Sequence, residues 1–368
     1  MDEIEVAREW VREAGRRVLF LLGAGASAPE LPVSAQLTAL VLDDLDRRMK
    51  DFSDTSDVPS LWRDIRPTLH TIGPGIEEVY EAVQTHTYQD SDPTRHWITS
   101  FVRFDSYRGG PTDLGRDAEL ILHLIRQTAL ECLDRGQKDA SLVRFRPMLQ
   151  APKIGIVTLN YDLLVESAGA HFGMHVTTGA ERWAGGLRWD FEKDKVPLLK
   201  VHGSMNWRGS RVLEMSEENL VPAMGLYEVS GLNESAPNNL LSPTVIFGSG
   251  SKLDPHSAFP ALMRQFHDWL DDSDLLVVVG YSFRDRHIDE SIRRWASLKS
   301  VRRMVIIDPF PRRDLPLTDG IWSGLLWAMD PDYRPRGWDV PSASAESESR
   351  RMVFLTRGSA QDLPDLLE

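Results

Sequence analysis

A single cysteine, Cys132, and no apolar run long enough to span a bilayer are the first absences in this chain of 368 residues. One cysteine excludes a disulfide framework and any cysteine-rich zinc module, and it fits a reducing compartment. The helical pattern AELILHLIRQTALECLDR around it places it on a packed face. Positive charge is also scarce: 42 Lys and Arg stand against 55 Asp and Glu, a formal net charge of −13. That balance disfavours a surface built to coat nucleic acid or anionic lipid, so neither nucleic-acid binding nor membrane attachment is expected. The N-terminal MDEIEVAREWVREAGRR is acidic and amphipathic where a secretory leader is basic and then apolar, and the expected location is cytoplasmic. Several catalytic signatures are missing too: no G-x-x-x-x-G-K-[ST], no H-E-x-x-H and no G-x-S-x-G occurs, and FGSGSK at 247–252 only superficially resembles a phosphate loop.

What is present is a series of short apolar runs: RVLFLL at 17–22, KIGIVTL at 153–159, PLLKV at 197–201, PTVIFG at 243–248, DLLVVVG at 274–280, RRMVIID at 302–308 and RMVFLT at 351–356. Runs of this kind belong to parallel strands covered on both faces. Helical periods separate several of them, among them SAQLTALVLDDLDRRM, DLGRDAELILHLIRQTALECL, FPALMRQFHDWLDD and HIDESIRRWASL. The alternation predicts an α/β fold: a Rossmann-like open, mostly parallel sheet with helices on both faces. One domain over 1–368 is expected, with a helical insertion at approximately 35–150. Loops are expected at 209–240 and in the Pro/Ser/Glu-rich 331–349.

Four strand ends carry candidate chemistry. After the first strand, GAGASA (Gly23 to Ala28) satisfies G-x-G-x-x-A, and glycines there let backbone N–H groups approach a diphosphate; alternatively they serve close packing alone. The acid expected ~20 residues later at a second strand end is missing, since Asp43, Asp44 and Asp46 lie in a helical pattern. Asp308 closes MVIID much later and can accept hydrogen bonds from an adenosine ribose, or simply end the strand in an Asp-Pro turn. Gly280, Tyr281 and Ser282 mark a further strand end. TLNYD brings Asn160 and Asp162 to another, behind Thr158, and KVHGS brings His202, Gly203 and Ser204 to the last. An imidazole delivered by a buried strand can act as a base or a hydroxyl partner near neutral pH. Asn160 either works in the crevice or caps the helix that follows.

GAGAS, TLNYDLL, LLKVHGS and GYSFRDRHI, in that order, resemble the bacterial branch of the sirtuin-like family over roughly residues 17–308. The resemblance implies an NAD-binding α/β fold with Gly23, Ala24, Gly25 and Ser27 around the phosphates. It implies Asn160 and Asp162 on the nicotinamide side with Thr158, His202 as the catalytic histidine beside Gly203 and Ser204, and Gly280, Ser282 and Asp308 toward the adenosine. Sirtuin deacylases follow the glycine loop with Gly-Ile-Pro-Asp-Phe-Arg and carry a four-cysteine zinc module. This chain reads PELPVSAQLT and has one cysteine. It is more similar to the sirtuin-like NAD hydrolases of bacterial anti-phage defence. Those imply NAD as substrate, no metal, a homo-oligomer and a second protein such as a HerA-type hexameric ATPase or an Argonaute-like protein. An ADP-ribosyl or acyl transferase and a non-catalytic sensor of NAD or ADP-ribose are the competing expectations, the Asn160/His202 pair counting against the sensor.

Overall fold

The computed structural model describes residues 3–52, 57–72, 75–87, 106–109, 111–138, 140–215, 220–229, 243–245, 257–298, 301–309, 329, 351–355 and 362–367. Strands β1 (Val18–Leu22), β2 (Gly155–Thr158), β3 (Val176–Thr177) and β4 (Val196–Lys200) are followed by β5 (Gly203–Met215), β6 (Leu220–Glu228) and β7 (Pro243–Val245). Then come β8 (Leu275–Val279), β9 (Arg303–Ile307) and β10 (Met352–Leu355). Seven of them form one sheet in the order β10-β9-β8-β1-β2-β4-β3, paired in parallel throughout.

The strands are apolar along most of their length because both faces are covered. β1 (VLFLL) and β8 (LLVVV) are buried along their whole length. Side chains alternate between two cores, as the two-residue period of a strand requires. Val18, Phe20, Leu22, Leu275, Val277 and Val279 enter one, and Leu19, Leu21, Leu276 and Val278 enter the other. The first core is closed by helices Glu3–Ala14, Ser34–Asp51, Val58–Ile72, Ile76–Gln84 and Pro111–Gln137, and the second by helices Phe259–Asp272 and Arg286–Leu298. Between β1 and β2 the described residues are helical or irregular, without a strand. Cys132 is half-buried against the first core.

Two expectations need correction. Residues 209–240 do not read as loop throughout: β5 and β6 form a hairpin paired antiparallel from Trp207 opposite Glu228 to Met215 opposite Leu220. Polar residues interrupt the apolar pattern in RGSRVLEM, so the signal of a doubly covered strand is absent there. PTV at the start of PTVIFG does form a strand, but β7 pairs antiparallel with β5, outside the parallel sheet. β-Branched composition identifies a strand without naming its partner. The strand β3, two residues long, is too short to carry any period. The stretches 246–256 and 331–349 lie outside the described residues.

Register sets the strand ends level. Leu22 lies opposite both Thr158 of β2 and Val279 of β8, Thr158 lies opposite Lys200 of β4, and Val279 lies opposite Ile307 of β9. Gly23, Asn160, His202, Gly280 and Asp308 therefore leave the sheet at nearly one height. The turns after β1 and β8 are pressed together: Gly23 N–H donates to Val279 O at 2.9 Å and Gly25 N–H to Gly280 O at 2.8 Å. A Cβ on Gly25 would sit 2.7 Å from Gly280 Cα, and one on Gly280 would sit 2.3 Å from Ala26 N. Gly280 also has φ of +60°. Left-handed backbone costs a non-glycine residue ~1–2 kcal/mol before any overlap is counted. Gly280→Ala is expected to lower unfolding free energy by more than that figure in urea titration, and a variant as stable as wild type would show that the two turns are not in forced contact.

Candidate active site

The level strand ends open on a cleft of about 1660 Å³. It lies where the connections change direction, between β1 and its neighbours β2 and β8. Open α/β sheets bind ligands at such switch points, beyond the carboxyl ends of the strands. Gly23, Ala24, Gly25, Ser27, Asn160, Asp162, His202, Gly280, Ser282 and Asp308 all line the cleft. Arg264, Arg284, Arg286 and Arg294 stand in its wall among acidic side chains that include Glu77, Asp162, Asp285 and Asp308.

Thr158, Gly203 and Ser204 stand behind that lining, contrary to expectation. Thr158 is buried, and its hydroxyl accepts the Asn160 backbone N–H at 3.1 Å. Ser204 is buried with its hydroxyl donating to Asn206 Oδ1 at 2.7 Å. Gly203, with φ of +81°, starts β5. Proximity in sequence to a crevice residue does not give the same outlook: the Thr158 and Ser204 hydroxyls are engaged by the Asn160 N–H and Asn206. The glycine turn also differs from the expected strand–turn–helix. A 3₁₀ turn occupies Ala24–Ser27, and the α-helix begins only at Ser34. The N–H groups of Gly23 and Gly25 are spent on the end of β8, so these two glycines act first through close packing.

Asn160, Ser27 and Asp162 form one directed chain. Asn160 Nδ2 donates to Gly23 O at 2.9 Å and to Ser27 Oγ at 3.0 Å. Ser27 in turn donates its hydroxyl hydrogen to Asp162 Oδ2 at 2.7 Å. Both amide hydrogens of Asn160 are thereby used, and Oδ1 is its remaining polar atom. The helix Leu164–His171 is served by Asp162, whose Oδ1 accepts the Leu164 N–H at 3.0 Å, and not by Asn160. Asp162 is 6% exposed and engaged through both oxygens, an anchor for the network. The fully buried Lys200 fixes the same loop from below by donating to the Asp162 carbonyl and, at 2.8 Å, to Glu166 Oε1. Burial pushes the Glu166 carboxyl upward against the opposing pull of Lys200.

His202 is 4% exposed and lies between two carboxylates. Nε2 is 2.9 Å from Asp285 Oδ2, though not aligned as a hydrogen bond, and Nδ1 is 3.6 Å from Glu77 Oε1. Glu77 belongs to the helix Ile76–Gln84 and accepts the Tyr161 hydroxyl at 2.9 Å. Burial, with the Glu77 charge adding to it, holds the Tyr161 hydroxyl well above the usual tyrosine range, so it remains a donor. Neither Glu77 nor Asp285 stands out in the sequence. Glu77 is an acid in a helical period, IEEVYEAVQ, and Asp285 lies inside GYSFRDRHI just before a helix, without a role assigned to it there.

A model of the SIR2-like domain matches residues 154–320. That stretch is similar to the SIR2-like domain. The match spans β2 to β9 and includes Asn160, Asp162, His202 and Asp308, whereas the glycine turn at 23–27 lies outside it and is brought to the site by the β1 pairings. No curated protein matches the chain. Among solved structures, one on the mechanism and regulation of Sir2 enzymes is similar at 13% identity and TM-score 0.47, over 100% of this chain and 96% of that one. Sir2Tm bound to a propionylated peptide is similar at 12% identity and TM-score 0.42, over 100% and 98%. A structure on sirtuin substrate affinity is similar at 11% and 0.44, over 100% and 97%.

The directed chain of hydrogen bonds at the cleft makes a testable demand on Ser27. Ser27→Ala removes the hydroxyl that links Asn160 to the buried Asp162, and an unsatisfied buried polar group costs ~1–3 kcal/mol. Urea unfolding is expected to show a loss in that range, and unchanged stability would mean that the linkage does not form.

Proposed function

We propose that this chain is an NAD⁺ glycohydrolase that splits the bond between nicotinamide and ribose to give ADP-ribose and nicotinamide. The observation that carries the reading is the placement of Asn160 Oδ1, left over once both amide hydrogens are bound to Gly23 and Ser27, on the same cleft as His202. Small-molecule sites typically occupy ~300–1,000 Å³, and this cleft of about 1660 Å³ leaves room for a dinucleotide. Its lining offers arginines for a diphosphate and Asp308 for an adenosine ribose.

In the cleavage, the C1′–N bond breaks and its electron pair leaves with neutral nicotinamide. Positive charge then builds at C1′ until a water oxygen bonds to it, and that water gives up a proton. An amide oxygen held in place by its own hydrogens is suited to orient the water or a ribose hydroxyl without reorganising. His202 engages the ribose hydroxyls or takes the proton. Asp162 keeps the network in register. The single cysteine at position 132 leaves no four-cysteine module to shape an acyl-peptide cleft, which favours hydrolysis over acyl transfer.

Incubating the full chain with NAD⁺ and no acceptor is expected to yield free ADP-ribose and nicotinamide on chromatography. Asn160→Ala and His202→Ala are each expected to reduce turnover at least a hundredfold while circular dichroism stays as in wild type. O-acyl-ADP-ribose formed only with an acylated peptide, and no ADP-ribose without it, would contradict the hydrolase reading.

We further propose that the activity belongs to a bacterial anti-phage system and is controlled by assembly, as a homo-oligomer or with a HerA-type hexameric ATPase, an Argonaute-like protein being the other candidate. Unrestrained depletion of NAD would kill the host cell. A shift of ~1.4 kcal/mol between closed and competent states changes their ratio tenfold. NAD cleavage per chain is expected to rise with protein concentration or on adding the partner, with mass followed by light scattering. A monomer fully active at every concentration and indifferent to the partner would rule this out.

A further inference from the structure

Asp285 has two jobs that its two oxygens divide. Oδ1 accepts the N–H groups of His287 at 2.9 Å and Ile288 at 3.3 Å, the cap of helix Arg286–Leu298. Oδ2 is left 2.9 Å from His202 Nε2. The carboxylate is nearly buried, at 9% side-chain exposure, and its backbone is tied down as well. Asp285 N–H donates to the Tyr281 hydroxyl at 3.1 Å, and that hydroxyl donates to Asp289 Oδ1 at 2.6 Å. Burial, with Asp289 and Asp285 adding to it, holds the Tyr281 hydroxyl well above its usual range, so the donor is permanent.

The turn that delivers Asp285 is strained. Gly280 has φ of +60° and Phe283 has φ of +52°. A bulky residue such as Phe283 is disfavoured in left-handed backbone, and such strain tends to mark a functional turn. A cap alone does not require it, since Ser, Thr or Asn at an unstrained helix start serves as well. The strained turn instead brings the second oxygen to the imidazole.

We propose that Asp285 is the positioning residue of His202: its capped carboxylate fixes the ring and keeps the proton on Nε2, so that Nδ1 is the accepting nitrogen. At 2.9 Å, Asp285 Oδ2 and His202 Nε2 are within reach but not aligned as a hydrogen bond, and catalytic hydrogen bonds often align only in the complex with substrate. Glu77 faces the Nδ1 side at 3.6 Å and is itself held by Tyr161. The catalytic consequence rests on the NAD-cleavage reading. The orientation of the ring does not.

The test separates cap from positioning. Asn caps helices as well as Asp does, so Asp285→Asn keeps the Oδ1 contacts and replaces only the oxygen that faces His202. In the full chain, the ¹⁵N spectrum of the His202 imidazole, assigned with His202→Gln, is expected to report one tautomer protonated at Nε2 in wild type and to lose that preference in Asp285→Asn. The melting temperature is expected to remain within a degree or two, and the Kd for NAD measured with non-hydrolysing His202→Ala as background to change less than twofold. NAD turnover in Asp285→Asn is expected to fall at least tenfold in kcat with KM little changed, whereas Asp285→Ala also melts earlier. An unchanged imidazole spectrum in Asp285→Asn, or full kcat, would reduce Asp285 to a helix cap and overturn the proposal. Loss of the tautomer preference in a chain that cleaves no NAD would leave the positioning intact and defeat the hydrolase reading alone.

Discussion

Contact between the turns after β1 and β8 is the constraint on which the site depends. Two glycine turns meet there with no room for a Cβ on Gly25 or Gly280, and the N–H groups of Gly23 and Gly25 are bound to the end of β8. That contact closes one side of the crevice and holds Gly23 O where Asn160 Nδ2 reaches it. Asn160 then ties the end of β2 to the same turn, and Ser27 and Asp162 complete the linkage. The central strands therefore share one packed corner, and the reactive side chains stand on a scaffold buried on both faces.

From that corner the network reaches the helical layer. Tyr161, between Asn160 and Asp162, donates to Glu77 on the helix Ile76–Gln84, and Glu77 lies beside His202. Asp285 approaches His202 from the other side, carried by the strained turn after β8. The polar trio Asn160, Tyr161 and Asp162 thus has three separate assignments: the crevice, the helical layer and the cap of the next helix. Lys200, within the sheet, and Glu166, on the helix that follows, hold the trio from below, and losing Glu166 would leave the buried Lys200 charge without its carboxylate.

Much of this was legible from residues alone. Continuous apolar runs announced β1, β2, β4, β8, β9 and β10, because doubly covered parallel strands leave that signature. The strand-end motifs also pointed to a common crevice, because open sheets place their strand ends together. What escaped had weaker or non-local signals. The hairpin β5–β6 lacks the apolar run, and β7 could not announce its antiparallel partner. Thr158, Gly203 and Ser204 adjoin crevice residues yet stand behind them, a matter of side-chain direction and not of spacing. Glu77 reaches His202 across 125 residues of sequence, which no periodicity encodes. Asp285 looked like an ordinary helix start, and only the position of its second oxygen gives it another meaning.

In the proposed reaction, water attacks the ribose carbon of NAD at this strand-end network. Carrying out the reaction in water enriched in ¹⁸O and weighing the products by mass spectrometry under conditions that suppress anomeric exchange tests it most directly. One solvent oxygen is expected in each ADP-ribose released and none in nicotinamide. ADP-ribose that carries no solvent oxygen, or that leaves only attached to another acceptor, would contradict it.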